Sequence, residues 1–275
     1  MKKSDAVFLT TIFPASKKYL DDFFTSLQRQ TYRNFDILVI NDRVDNFNSY
    51  ITQYPDLSII EIISELTPAK NRETGINKAL ELDYKFIVFG DSDDYFSENR
   101  MQKSLEVLKN NDIVINELTL FSHNNRNNNF LTTHLKDINS LQEKNFNSNI
   151  FGFSNIAVRS EIIESPIDFE DNLIAVDWFF ITTLLLRKPR QVQFLKEVQT
   201  YYRQYDNNHF EKYSLIFSNK LKQVQKLREE LSNPSFKKKY IDIVNSNITE
   251  IFSGWWSEII TLEEFYMYEN SNQKR

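Results

Sequence analysis

Three clusters in this 275-residue chain have residue types and spacing that could do chemistry: Thr10-Thr11, Asp42, and the run Asp91-Ser92-Asp93-Asp94. Each follows or closes an apolar stretch of strand type. In an open parallel sheet, ligands sit beyond the carboxyl ends of the strands. Carboxylates crowded there repel one another unless a cation joins them. A hard divalent ion accepts carboxylate oxygens together with substrate phosphates, so the ligand such a convergence suits is a metal-chelated diphosphate. Each cluster also has a plainer reading. A lone Asp after a strand serves as a turn residue or a helix cap, which leaves Asp42 open when taken alone. For 91–94 the plainer reading is an acidic turn ahead of a helix capped by Ser97. Its place directly after the apolar run 86–89 favours the ligand.

Composition removes other chemistries. The chain has no Cys, three His and four Gly. Disulfides, thiolate metal sites and a Cys nucleophile are therefore excluded. His123, His134 and His209 are too far apart for a local zinc pair, and Gly75, Gly90, Gly152 and Gly254 cannot form a glycine-rich phosphate loop. With 33 basic and 38 acidic residues the net charge is −5, which argues against nucleic acid as a partner. No stretch approaches the roughly 18 apolar residues of a membrane span, and the N-terminal residues show no signal-peptide pattern. A reducing, cytoplasmic setting is the expectation.

The elements that must position these residues alternate along the first hundred positions. Strands are predicted at 6–12, 35–40, 57–63 and 86–89. Between them, Tyr19, Leu20, Phe23, Phe24 and Leu27 recur at helical spacing, part of 46–53 reads as a helix, and Pro68 opens a helix carrying Ile76, Ala79 and Leu80. After Ser97, Met101, Leu105 and Leu108 mark another helix face. This order implies an α/β fold with an open, largely parallel, Rossmann-like sheet flanked by helices. The middle is less regular: strands are expected at 113–116, within 147–159 and at 192–202, a helix at 177–186, and a polar loop at 123–129. From about 210 the pattern turns helical. The chain divides into a catalytic domain, 1–209, with halves 1–112 and 113–209, and a helical C-terminal appendage, 210–275.

The order of these segments resembles a GT-A-fold glycosyltransferase of family 2 over about residues 5–205. LTTIFPASKKYLDDFFTSLQRQTYRNFDILVIND (9–42) is similar to the family's first strand, its "SLxxQTYxNxEIIVVDD" stretch and its second-strand acid. NRETGINKAL (71–80) is similar to "ARNxGIxxA", and FIVFGDSDDYF (86–96) to the DxD segment "YIxFLDSDDxF". VDWFFITTLL (176–185) resembles the "EDxxFxxRLL" helix, and TYYRQYDNN (200–208) the later "YYRxHxxS" strand and loop.

The resemblance implies transfer of a sugar from a nucleotide-diphosphate sugar, with a UDP-sugar favoured, to an acceptor hydroxyl on a glycan or lipid-linked molecule, usually with inversion. It implies a base and ribose pocket from Thr10, Thr11, Phe13, Asp42, Arg72, Asp91 and Ser92, and Mg²⁺ or Mn²⁺ on Asp91 and Asp93. Asp177 becomes the general base; its plainer reading is a helix N-cap. Asn155, Arg203, Tyr205 and His209 become candidate diphosphate or acceptor contacts. FGFSN (151–155) resembles the segment beside the acceptor and reads equally as a strand edge; Tyr201 and Tyr202 read either as sugar-stacking or as core.

The chain departs from the family at several points. Arg43-Val44 stand where the family carries Gly-Ser, which implies a different loop; Glu73 replaces Asn, Val176 replaces Glu, and Tyr205 stands where a His is common. These changes leave a non-catalytic glycan-binding or scaffolding member as the alternative. A sugar-phosphate nucleotidyltransferase ranks lower, because the first loop lacks Gly, Arg and Lys. In the appendage, basic clusters (Lys220, Lys222, Lys226, Arg228, Lys237 to Lys239) alternate with Glu, and Trp255 and Trp256 follow. That pattern suits a brace or homodimer interface more than docking on the inner membrane surface.

Overall fold

The computed structural model describes residues 4–122, 126–134, 150–169, 171 and 176–204. The appendage expected over 210–275, and with it Tyr205 and His209, lies outside the described residues. The chain divides into two compact units. One comprises Met1–Lys136, Phe153–Asp171 and Arg190–Tyr205; the other comprises Asp137–Gly152, Asn172–Pro189 and Asp206–Arg275.

The first unit is built on one sheet. Its strands are β1 (Ala6–Ile12), β2 (Asp36–Asn41), β3 (Ser58–Ile63), β4 (Phe86–Phe89), β5 (Tyr95–Phe96), β6 (Ile113–Phe121), β7 (Arg126–Asn127), β8 (Ile156–Arg159) and β9 (Val192–Arg203). The spatial order is β3-β2-β1-β4-β8-β6-β9-β5, with β7 paired to β6. β3, β2, β1 and β4 run parallel. β8 then joins antiparallel between β4 and β6. Strand β1 is buried along its whole length. That is what a strand covered on both faces requires, and it explains the unbroken apolar run.

Helices cover both faces. On one lie α1 (Leu20–Gln28), α2 (Asn48–Gln53) and, after β5, α4 (Arg100–Leu108). Leu20, Phe23, Phe24 and Leu27 of α1 and Met101, Leu105 and Leu108 of α4 are all buried, as their 3.6-residue period demands. On the other face lies α3 (Pro68–Glu81). Thr67 caps it by accepting the Lys70 N–H at 3.3 Å, and Pro68 occupies its first turn. Gly75 is where α3 meets the sheet: a Cβ there would stand 2.8 Å from Leu9 Cδ1 and 3.0 Å from Ile40 Cγ1. Gln30 ties α1 to the approach to α4. Its amide donates to the Ser26 and Ser97 carbonyls at 3.0 and 2.9 Å, and its Oε1 accepts the Met101 N–H at 2.9 Å.

Three local expectations are corrected. The helix after β5 begins at Arg100 and its N-cap is Asn99, not Ser97, whose hydroxyl donates instead to the Asn99 side chain at 2.9 Å. Residues 126–127 are not loop but the short strand β7 on β6. The strand expected at 113–116 continues to Phe121, because β9 runs beside it over that whole length. The first unit also contains the short helix α5 (Phe130–His134). Buried Glu117 supports α5 near its start by accepting the Leu131 N–H at 2.7 Å and the Thr132 N–H at 2.9 Å. The second unit contains α6 (Val176–Arg187), where Trp178, Phe179, Phe180, Ile181, Leu184 and Leu185 are buried.

Gly90 links β4 to the acidic turn. A Cβ on it would lie 2.3 Å from Phe8 Cζ and 2.7 Å from Phe96 Cζ. Both rings are packed, with centroids 5.1 Å apart, and neither can yield cheaply. Gly90→Ala is expected to cost about 2 kcal/mol of stability, checked by urea denaturation against wild type. An unchanged midpoint would show that the rings have room.

Candidate functional site

The parallel register sets the carboxyl ends of β1, β2 and β4 side by side. Ile12 pairs with Asn41, and the Asp42 N–H donates to the Ile12 carbonyl at 2.9 Å. The Ser92 hydroxyl donates to the Thr11 carbonyl at 2.8 Å, which pins the acidic turn to the end of β1. These two hydrogen bonds tie the residue after β2 and the turn after β4 to the end of β1.

Arg72 reaches this point from α3. Its guanidinium donates to Asp91 Oδ1 at 2.5 Å, with both side chains about a quarter exposed (22% and 26%). Phe153 supports it from below: the guanidinium lies 5.4 Å from the ring centroid, and that ring stacks on Phe89 at 4.9 Å. Glu73 accepts from Lys70 at 2.9 Å and from the Phe169 N–H at 2.5 Å, holding the segment before Asp171 against α3. Asp42 is nearly buried, and Arg43 Nε donates to it at 2.7 Å. Arg43 has φ 63°. The turn after β2 therefore demands a backbone that favours glycine, although the residue is Arg. Thr10 is fully buried, on the opposite face of β1 from Thr11. Phe13 is half-buried and starts the 3₁₀ turn Pro14–Tyr19, its N–H donating to Ser16 Oγ at 3.1 Å.

The four residues 91–94 have different surroundings. Asp91 and Asp93 are partly exposed, whereas Ser92 and Asp94 are buried. Burial, then the charges of Asp93 and Asp91, hold the Asp94 carboxyl well above the usual carboxylate range. Asp94 accepts the Ser154 hydroxyl and the Arg203 N–H, the latter at 2.8 Å. Beneath the turn lies Arg100, fully buried, with one nitrogen donating to the Phe89 carbonyl at 2.5 Å and its guanidinium 4.3 Å from the Phe96 ring. Its Nε and its other terminal nitrogen have no partner among the described residues. Burial lowers its pKa to about 9, while the negative charges of Asp94 and Asp91 act in the other direction. Arg100 supplies positive charge behind an acidic turn, and the sequence reading missed it because Arg at the first turn of a helix reads as surface.

The acidic turn fits a divalent cation shared with phosphate. Two partly exposed carboxylates, Asp91 and Asp93, concentrate negative charge there. No group of three His, Cys, Asp or Glu side chains placed to hold a metal by itself is found among the described residues. One or two carboxylates plus substrate phosphates is the donor set Mg²⁺ ordinarily takes.

Among the remaining candidates, Arg203 contacts the acidic turn. Asn155 is buried, and its amide donates to the Asn116 carbonyl at 3.4 Å. Arg203 donates through Nε to the Asp93 carbonyl at 2.9 Å and to Asp22 at 2.8 Å. Its guanidinium lies over the Tyr19 and Phe121 rings. Asp177 belongs to the second unit, in the first turn of α6, where its charge suits the helix dipole and its Oδ1 accepts the Trp178 N–H at 2.8 Å.

A sheet covered on both faces, with acidic groups at the carboxyl ends of its parallel strands, is the arrangement of the open α/β folds, which take ligands beyond those strand ends. The model of glycosyl transferase family 2 matches residues 9–165. The chain belongs to that family. Among solved structures it is similar to S. aureus TarS 1–349 in complex with UDP-GlcNAc, at 18% identity over 97% of this chain and 79% of that one, with TM-score 0.69. It is also similar to the mannosyltransferase PcManGT from Pyrobaculum calidifontis in complex with GDP-Man and Mn²⁺, at 12% identity over 99% and 80%, TM-score 0.59. GalNAc-T7 with UDP, GalNAc and Mn²⁺ matches at 10% identity over 89% and 57%, TM-score 0.58. At these identities the likeness is one of fold, and the fold is GT-A. No curated protein sequence matches the chain. Among the described residues no helix is long and apolar enough to cross a membrane.

Proposed function

We propose that this protein moves a sugar from a nucleotide-diphosphate sugar, a UDP-sugar by preference, to a hydroxyl of a glycan or lipid-linked acceptor, with inversion at the anomeric carbon. The observation that carries this reading is the contact of Arg72 with Asp91 beside the turn that Ser92 pins to Thr11. It joins α3, β1 and β4 around one point at the carboxyl edge of the sheet. The nucleotide-sugar complexes of the similar folds support it.

In this reading Asp42 accepts from the base, and Thr11 and Phe13 line the base pocket. Arg72 and Asp91 contact the ribose side. Asp93, with Asp91 beside it, would hold Mg²⁺ or Mn²⁺. When bound, such an ion stabilises the charge that grows on the departing diphosphate. Asp177 takes the proton of the acceptor hydroxyl as its oxygen attacks C1. The bond from C1 to the diphosphate oxygen breaks, and its electron pair leaves with the nucleotide diphosphate. One attack from the far face inverts the centre.

A thermal-shift series with UDP, GDP, CDP and TDP, each with and without Mn²⁺, tests the donor site. A ligand at a hundred times its Kd stabilises by about 2.7 kcal/mol. UDP with Mn²⁺ is expected to raise the melting temperature most, and UDP alone much less. If no nucleotide shifts the melt under either condition, the chain does not bind a donor and the transferase reading falls.

A further inference from the structure

Strand β9 ends at Arg203, which gives both its backbone and its side chain to the acidic turn. Its N–H donates to Asp94 at 2.8 Å, and its Nε donates to the Asp93 carbonyl at 2.9 Å, across 110 positions of chain. A terminal nitrogen of the same guanidinium donates to Asp22 of α1 at 2.8 Å. The group lies 4.2 Å from the ring centroid of Tyr19 and 4.6 Å from that of Phe121. The Arg203 side chain is 16% exposed, whereas that of Asp22 is 61% exposed.

That arrangement decides between two roles. A guanidinium recognises a phosphate through its planar N–H edge. Here the edge is taken up by Asp22 and by the Asp93 carbonyl, and aromatic rings lie against the group. To reach a diphosphate or an acceptor, Arg203 would have to leave the contacts that hold it and strip the Asp93 carbonyl of this donor. What it holds is the main chain of a residue whose carboxylate stays partly exposed. Tyr19 also closes the 3₁₀ turn that Phe13 opens, so the same side chain links that turn to the acidic one.

We propose that Arg203 is a positioning residue of the donor site. It fixes the main chain of Asp93, so that the Asp91 and Asp93 carboxylates are set for a divalent cation before one arrives, and it does not touch the diphosphate. The inference rests on the donor reading above. A turn fixed in advance loses less freedom when its ligand binds. Charge alone works in the opposite direction, because Arg203 repels a cation bound nearby. Positioning, charge and direct diphosphate contact therefore predict three different results on substitution.

Arg203→Lys keeps the charge but lacks the planar fork that serves Asp22 and Asp93 together. Arg203→Gln removes the charge as well. Three measurements on the full chain separate the roles: calorimetric titration of UDP in EDTA, Mn²⁺ titration of UDP-saturated protein by the electron-spin-resonance signal of the free ion, and hydrogen exchange of the ligand-free protein. Both variants are expected to weaken Mn²⁺ binding by roughly tenfold while leaving metal-free UDP affinity within about twofold. Exchange is expected to quicken in the turn 91–94 and to stay unchanged in α3. A loss of metal-free UDP affinity in both variants would make Arg203 a diphosphate contact and overturn the proposal. So would Mn²⁺ affinity that is unchanged, or tighter in Arg203→Gln, and so would unaltered exchange in the turn. If wild type binds neither UDP nor Mn²⁺, the donor reading falls by itself. Faster exchange of the turn in Arg203→Lys would then still support the hold on Asp93, and unaltered exchange would overturn it.

Discussion

Asp93→Ala is expected to lower sugar transfer by roughly a thousandfold and to abolish the Mn²⁺-dependent part of nucleotide binding. Removing one group that stabilises charge developing in a transition state costs about 3–4 kcal/mol, and each 1.36 kcal/mol is a factor of ten in rate. The effect should be large because Asp94 cannot substitute. Its carboxyl is buried, raised above the usual range, and engaged by Ser154 and Arg203. Asp91 faces Arg72. The fold should survive, since Asp93 is partly exposed and surface substitutions usually change stability by about 0.5 kcal/mol or less. The measurement is steady-state transfer with a donor panel over a range of Mn²⁺, beside calorimetric UDP titration. Activity within tenfold of wild type would remove Asp93 from the role assigned to it.

Asp177→Asn is expected to lower kcat by roughly a thousandfold, within the 10²–10⁴ typical of general acid–base catalysis, while leaving UDP affinity within about twofold. Asn preserves the shape of Asp and its ability to accept the Trp178 N–H, seen at 2.8 Å. It cannot take a proton from the acceptor. The two possible roles of this residue therefore separate. A base lost shows in kcat with the melting temperature unchanged; a merely structural residue shows in the melting temperature, with kcat per folded molecule retained. An unaltered kcat would overturn the base assignment and restore the helix-terminus reading.

Much of the frame was legible because it is local. The run 6–12 is apolar throughout, and β1 is buried throughout. Pro68 starts α3 by its fixed φ, which one residue makes readable, and the structure adds Thr67 as the cap. Where the signal is shorter than a period, the reading failed. Arg126–Asn127 forms a strand of two residues, too short for any alternation to show. Ser97 has the chemistry of a cap, yet Asn99 occupies the position, because the chain first completes its pairing at β5. At Arg43 the sequence pointed to a changed loop; the backbone there nevertheless adopts φ 63°, and the side chain turns to Asp42.

The candidate site divides in the same way. That acids follow β2 and β4, and that Thr11 closes β1, is written in the order of residues along each strand. A sheet with parallel β1, β2 and β4 then has to gather them at one edge. What the linear order leaves open is which charges meet. Arg72 faces Asp91 across 19 positions, Ser154 reaches Asp94 across 60, and Tyr95 stacks on a ring that β9 brings back alongside β5. Only the folded structure makes Asp94 a buried support while Asp91 and Asp93 stay accessible, and puts Arg100 beneath them. Only it lays Arg203 against that turn. Strand and helix patterns are encoded in windows of a few residues, because backbone geometry repeats with a short period. Burial, desolvation and ion pairing depend on which distant segments close against each other, and that is decided by packing the whole sheet with its helices.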